Sequence, residues 1–240
     1  MSEESEDQKQ EAEVAEKATE NPAAAPAAKK AKKKWPIVVA IVAVVIIVAG
    51  IGFWTWHEQP SFCNAICHTP MDTYVESYDA QPNSTATDKW GNEVSNSSAM
   101  LSVTHKEAGL NCLSCHVPSI SQQVGEVGME ITGNYYYPLE ERSLEDLVVN
   151  AGGDASKADS FCLNSNCHNM TRSDLTEMTS DMDFNPHRWQ HGEIACSECH
   201  KSHRASVFYC TQCHTDATAS MPDGWVSYSE GKQIAKSALS

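Results

Sequence analysis

Ten cysteines and ten histidines are the residues with the plainest chemistry in this 240-residue chain. All ten cysteines fall into close pairs, and a histidine follows the second cysteine of every pair. The five motifs are Cys63/Cys67-His68, Cys112/Cys115-His116, Cys162/Cys167-His168, Cys196/Cys199-His200 and Cys210/Cys213-His214. Cys-x-x-Cys-His is the attachment pattern of c-type haem. Two thiols a turn apart form thioethers with the vinyl groups of one porphyrin, and the adjacent histidine reaches the iron as proximal ligand. Paired cysteines also build zinc sites and disulfide frameworks, but neither explains a histidine after every pair. The pattern therefore predicts five covalent haems. Three residues separate Cys63 from Cys67 and four separate Cys162 from Cys167, so the extra residues there must bulge away from the ring.

Five histidines remain: His57, His105, His187, His191 and His203, with Met71 a further axial candidate three residues after His68. Histidine or methionine on the distal side makes a six-coordinate, low-spin iron suited to electron transfer. His187, His191 and His203 bracket the fourth motif, and His105 lies seven residues before Cys112. His57 precedes Cys63 by six residues, and interfacial packing is an equal reading for it. Six candidates for five irons leave no haem that must stay open, which favours a carrier over a terminal reductase.

These residues need elements to hold them, and the sequence offers few long ones. Residues 1–34 start with eight acids in twenty, pass through an Ala/Pro stretch and end in Lys29, Lys30, Lys32, Lys33 and Lys34. That composition reads as a disordered cytoplasmic tail. Residues 35–56 are apolar over about 30 Å of helix, a bilayer's hydrocarbon thickness. The lysines before them set the N-terminus inside, and Trp35, Trp54 and Trp56 fall where aromatic belts form. A cleaved signal peptide is the rival reading, but its apolar core is shorter. Residues 57–216 then form a pentahaem domain on the exported side, either periplasmic or at the cell surface, and 217–240 a C-terminal tail or loose helix. The fold class is mainly α with much irregular structure: one transmembrane helix and a small domain packed around haems. Short helices are expected at 71–79, 143–150 and 173–180, the last two opening on Ser. A loop is expected over 80–100. Tyr135, Tyr136 and Tyr137 are read as packing residues. Residues 57–240 carry 24 acids against 10 Lys and Arg, which excludes nucleic acid as a natural partner and suits either a solvated surface or a basic patch on a redox partner.

Two stretches resemble known families. The anchor, Phe62-Cys63, Met71, Glu76-Ser77-Tyr78, His105, Gly109 and Cys112-Leu-Ser-Cys115-His116-Val117-Pro118 resemble the membrane-anchored quinol-oxidising cytochromes of the NapC/NirT/NrfH type. Asn185-Pro186-His187, His191-Gly192 and Cys196-Ser-Glu-Cys199-His200-Lys201-Ser202-His203 resemble the tetrahaem domain of flavocytochrome c fumarate reductases. The first resemblance implies menaquinol as electron donor at the membrane surface beside the first haem, where Asp72 is placed to take a proton. The second implies distal ligation by His187, His191 and His203, and an exported, flavin-dependent reductase as acceptor. Residues 120–160 match neither family, and five motifs exceed the usual four of the first. Together these readings predict an electron carrier of anaerobic respiration. The alternatives are a terminal multihaem reductase of nitrite or another small oxidant, which needs an open iron, and a haem or metal store, which leaves the anchor unexplained.

Overall fold

The computed structural model describes residues 34–137, 140–188 and 190–239, apart from the His68 side chain. The predicted tail lies almost wholly outside them. Among the described residues, ten α-helices are linked by short 3₁₀ turns and irregular chain, the mainly helical class expected. They are α1 (Trp35–His57), α2 (Pro60–Ile66), α3 (His68–Asp79), α4 (Leu101–Glu107), α5 (Cys112–Cys115), α6 (Ile120–Thr132), α7 (Leu144–Asn150), α8 (Arg172–Met178), α9 (Cys196–Cys199) and α10 (Tyr228–Ala238). The chain divides into two units, Met1–Ile46 and Ile47–Ser240.

Helix α1 runs through the whole apolar segment and buries none of its residues. It is the one helix among those described that is long and apolar enough to cross a membrane. A signal sequence near an N-terminus passes the same test.

The predicted loop at 80–100 contains a small hairpin. Strands β1 (Ala86–Thr87) and β2 (Glu93–Val94) pair antiparallel, Ala86 opposite Val94. Buried Asp88 closes the turn by accepting the N–H groups of Trp90 and Asn92 at 2.8 and 2.9 Å. Behind the hairpin lies a small core of Val94, Ala99, Met100, Val103 and Ala205. A second cluster joins Leu144 and Val148 of α7 to Ala158 and packs on Cys162 and Cys196. Apolar burial this limited suits a domain whose interior is completed by porphyrin faces.

Three sequence expectations need correction. Residues 217–240 are not a tail. Strand β4 (Val226–Ser227) pairs in parallel with β3 (Val207–Phe208), Val226 opposite Val207. Helix α10 follows, with Ser227 and Glu230 forming its capping box. It packs through Tyr228 on Tyr209, ring centres 5.2 Å apart, and through Gly231, where a Cβ would stand 2.7 Å from a Val207 methyl. Helix α8 is capped by Thr171, not Ser173, because Thr171 and Asp174 satisfy each other's N–H groups. Tyr136 and Tyr137 are exposed instead of packed.

Candidate haem-binding sites

Each regular motif is one helical turn. The histidine N–H closes onto the first cysteine's carbonyl: His116 to Cys112 at 2.8 Å, His200 to Cys196 at 3.0 Å, and His214 to Cys210 at 3.0 Å. On such a turn residues i and i+3 share a face, which suits two thioethers to one ring. The longer third motif makes the same closure, His168 to Cys162 at 3.1 Å. Its extra residues fold aside because Asn164 Oδ1 accepts the N–H groups of Asn166 and Cys167 at 2.9 and 3.2 Å. In the first motif Cys63 lies in α2, Cys67 closes onto its carbonyl at 2.8 Å, and His68 opens α3. No cysteine is in a disulfide.

The ten predicted attachment cysteines are not equally enclosed. Eight are half-buried, whereas Cys167 and Cys213 are exposed. In the fifth motif the turn is a 3₁₀ one, and Cys213 follows it with its N–H on the Cys210 carbonyl at 3.3 Å. The sequence pattern treats all ten thiols alike, since equal Cys/His spacing carries no record of burial. The fold instead leaves the second thiol of the third and fifth motifs at the surface.

The histidines meet in pairs. Ring centres are 6.1 Å apart for His105 and His168, 6.4 Å for His187 and His200, and 6.1 Å for His191 and His214. Imidazole nitrogens bind metals at about 2.0–2.1 Å, so two rings facing one metal have centres about 6 Å apart. The spacing fits. His203 and His116 are also neighbours: burial pushes His203 down to about 3, helped by His116 and then Lys89. Burial likewise lowers His105, His116, His187 and His200, which keeps them in the neutral form that binds metal. Among the described residues no three His, Cys, Asp or Glu side chains surround a common ion position. A pair of histidines completes a coordination sphere when a porphyrin supplies the other four nitrogens, so these residues fit c-type haem.

The folding of each element explains the pairs. Lys89 in the hairpin turn donates its N–H to the His203 carbonyl at 2.8 Å, and Leu101 and Ser102 donate to Lys201 and Ser202 at 2.9 and 3.0 Å. This straps the His200–His203 segment to the start of α4, which carries His105. Side chains then orient the rings. Ser77 gives its one hydroxyl hydrogen to the Tyr74 carbonyl at 2.9 Å, so His203 Nδ1, at 3.0 Å from the same oxygen, must be the donor. Thr179 donates to the Leu175 carbonyl or Asn185 Oδ1, both at 2.8 Å, and so receives His187 Nδ1–H at 3.2 Å. In both rings Nε2 keeps the lone pair a metal needs. Neither Ser77 nor Thr179 was legible as a positioning residue, since a hydroxyl's partner across the fold leaves no spacing pattern.

Successive motifs are neighbours. Burial raises Cys63, with Cys112 adding to it; burial raises Cys115, with Cys162 and Cys167 adding. Cys196 is held up by a hydrogen bond to Cys162, by burial and by donating to Asp159 at 3.1 Å. Burial pushes Cys199 up to about 11, opposed by a backbone hydrogen bond from Tyr209 and assisted by Cys210. Electrostatic influence thus passes from first to second, second to third and fourth to fifth motif, and a hydrogen bond joins the third to the fourth.

Among the described side chains, the remaining predicted residues do not join a pair. Met71 is half-buried in α3 and Asp72 is exposed on it. His57 stacks on Trp54, meets Phe62 edge-on and bonds Gln123 of α6.

A protein-family model described as cytochrome c3 matches residues 104–215, from the residue before His105 to the one after His214. The cytochrome c-type protein Cgr1 of Eggerthella lenta is 57% identical over 204 residues, 85% of this chain and 92% of that protein. The probable fumarate reductase Ifc3 of Shewanella frigidimarina is 34% identical over 71 residues, 25% of this chain and only 11% of that protein. No solved structure matches. With a relative aligned along nine-tenths of its length and a haem-domain family seated over the last four motifs, the chain belongs to the multihaem c-type cytochromes.

Proposed function

We propose that this protein is a membrane-anchored pentahaem cytochrome that takes electrons from menaquinol and passes them to an exported reductase. The observation that carries this reading is the unbroken succession of neighbouring motifs, first to fifth, starting beside the end of α1. Bound haem supplies one-electron redox chemistry. The chain's own residues fix its spacing, its axial ligands and its surroundings. His116 with His203, His168 with His105, His200 with His187 and His214 with His191 would hold four haems between them, which suits electron transfer. Uncleaved, α1 holds the domain to the bilayer, with the lysine cluster inside and the haems on the exported side. The surplus of acids over 57–240 suits docking to a basic face of the acceptor. The likeness of part of the chain to a probable fumarate reductase favours an acceptor of the flavin-dependent kind.

Menaquinol-driven reduction in membranes tests the reading. Menaquinol should reduce the haems, and a competent exported reductase with its oxidant should reoxidise them. Haems that stay ferric with menaquinol, yet reduce with dithionite, would sink it.

A further inference from the structure

Helix α6, in the stretch that resembles neither family, is turned inside out. Ser119 and Gln122 start it with a capping box and Gly133, at φ +67°, ends it. At about 100° per residue, Ile120, Val124, Val127 and Ile131 fall within about 60° of one another and form an apolar stripe about 16 Å long. Such a stripe ordinarily faces a core. Here its members are 79, 67, 37 and 80% exposed, whereas polar Gln122, Gln123 and Glu130 of the same helix are half-buried. Single exposed apolar residues are ordinary, but a continuous stripe marks a contact surface.

What α6 turns toward the domain is its polar side. Gln123 Oε1 lies 2.9 Å from His57 Nε2, and Gln122 donates to the Asn150 carbonyl at 3.4 Å. Glu130 and Glu126 stand close enough to the first motif to raise the Cys67 thiol, after burial. These two acids are turned about 110° around the helix from the stripe, so the motif is approached from their side. The hydrogen bond to His57 also shows what borders the stripe. His57 is the last residue of α1, and the exposed Phe53, Trp54 and Trp56 stand just before it. That end of α1 belongs with α6 to one unit, Ile47–Ser240. Aromatic residues at the end of a span mark the depth of the bilayer interface, and the middle of α6 is bonded to that depth. The helix carries two acids and no Lys or Arg, so its apolar area, and not attraction to anionic headgroups, is what it offers a membrane.

We infer that α6 is a second membrane contact, lying in the plane of the bilayer interface beside the end of α1, with Ile120, Val124, Val127 and Ile131 among lipid acyl chains. This rests on the reading of α1 as an uncleaved anchor. A single span leaves the domain free to swivel about the helix axis. A second contact, tied to the end of that span through Gln123 and His57, removes the freedom and fixes which face of the domain meets the bilayer.

The test uses the full chain with its haems in phosphatidylcholine nanodiscs, doped with a phosphatidylcholine whose acyl chain carries a diazirine. After photolysis, peptide mass spectrometry should find lipid label on α1 and, at the stripe residues, on α6. The double variant Ile120→Ser/Ile131→Ser should lower α6 labelling about fivefold or more, with α1 labelling and haem content unchanged. Val124→Ile keeps the stripe and should label as the parent does. Val124→Asp, which puts a charge in mid-stripe, should act like the double variant and serves if that one loses haem. Label on α1 with none on α6 in the parent, or α6 labelling that both stripe-breaking variants leave unchanged, would overturn the interfacial helix and leave the anchor reading standing. So would an unlabelled α6 in a dimer that Val124→Asp dissociates, which would give the stripe to a second copy. A mature chain that lacks α1, or that stays out of the nanodiscs, would overturn both.

Discussion

Around the last four motifs, histidines from separate elements come together: three pairs have ring centres 6.1, 6.4 and 6.1 Å apart, spacings that fit one metal between two rings, and His116 stands near enough to His203 to lower it further. Around the first motif no such pair stands among the described side chains; there His57 packs on Trp54 and Phe62 and lies 2.9 Å from Gln123 Oε1. The four-motif region is the part matched by the cytochrome c3 family, and the first motif lies outside that match. The difference teaches how one covalent pattern serves two ends. Four motif histidines have a second histidine from another element beside them, whereas the histidine described near the first motif, His57, is held by aromatic rings and an amide.

The sharpest way to break this comparison is to remove one histidine from each region. His203→Ala and His105→Ala should each abolish the low-spin signal of one haem and create a high-spin one, read by electron paramagnetic resonance. The variant His57→Ala should keep every low-spin signal of the parent protein. A low-spin signal lost in His57→Ala would make it an axial ligand and erase the distinction.

A second, smaller effect concerns what joins the stretch after α6 to the four-motif region. Glu141 pairs with Lys201 at 2.8 Å and Arg204 at 2.9 Å, and Arg204 is almost wholly buried. Burial alone would raise the Glu141 carboxyl, but Arg204 and then Lys201 outweigh it and hold the group below its ordinary value of 4.5. Glu141→Gln leaves two cations unmatched and should cost about 2–4 kcal/mol in denaturant titrations near pH 7. Because the folded-state carboxyl is depressed, its contribution is full above about pH 4.5 and fades as pH falls through the folded value. The gap between parent and variant should close in acid. A gap constant down to pH 3 would mean that lost packing, not charge, accounts for the cost.

The motifs and the apolar helix were legible because covalent haem chemistry and bilayer thickness impose fixed local spacing. The distal histidines were legible as a set. Their pairing was not, since His105 meets His168 and His203 meets His116 through contacts between elements far apart in sequence. The exposure of Cys167 and Cys213 was equally hidden, because burial is decided by what packs over a motif and not by its spacing. Helix α10 was legible only as a loose helix, because its packing through Tyr228 on Tyr209 and through Gly231 on Val207 is decided across the fold.

The smallest effect belongs to the hydroxyls that orient the rings. Ser77→Ala removes the acceptor of His203 Nδ1–H, and the imidazole becomes a weaker electron donor to its metal. Ferric iron is stabilised less, so the potential of the haem held by His116 and His203 should rise. A lost hydrogen bond of about 1 kcal/mol corresponds to roughly 40 mV for one electron. Thr179→Ala should raise the haem held by His200 and His187 by less, because its contact is longer, 3.2 against 3.0 Å. Ser77→Thr and Thr179→Ser keep the oxygen and should restore the parent values. Neither alanine variant should move the first-motif haem, because the rings that Ser77 and Thr179 orient belong to other pairs. Redox titration resolves the outcome, and a first-motif potential that follows Ser77 would mean the two regions are one electrostatic unit.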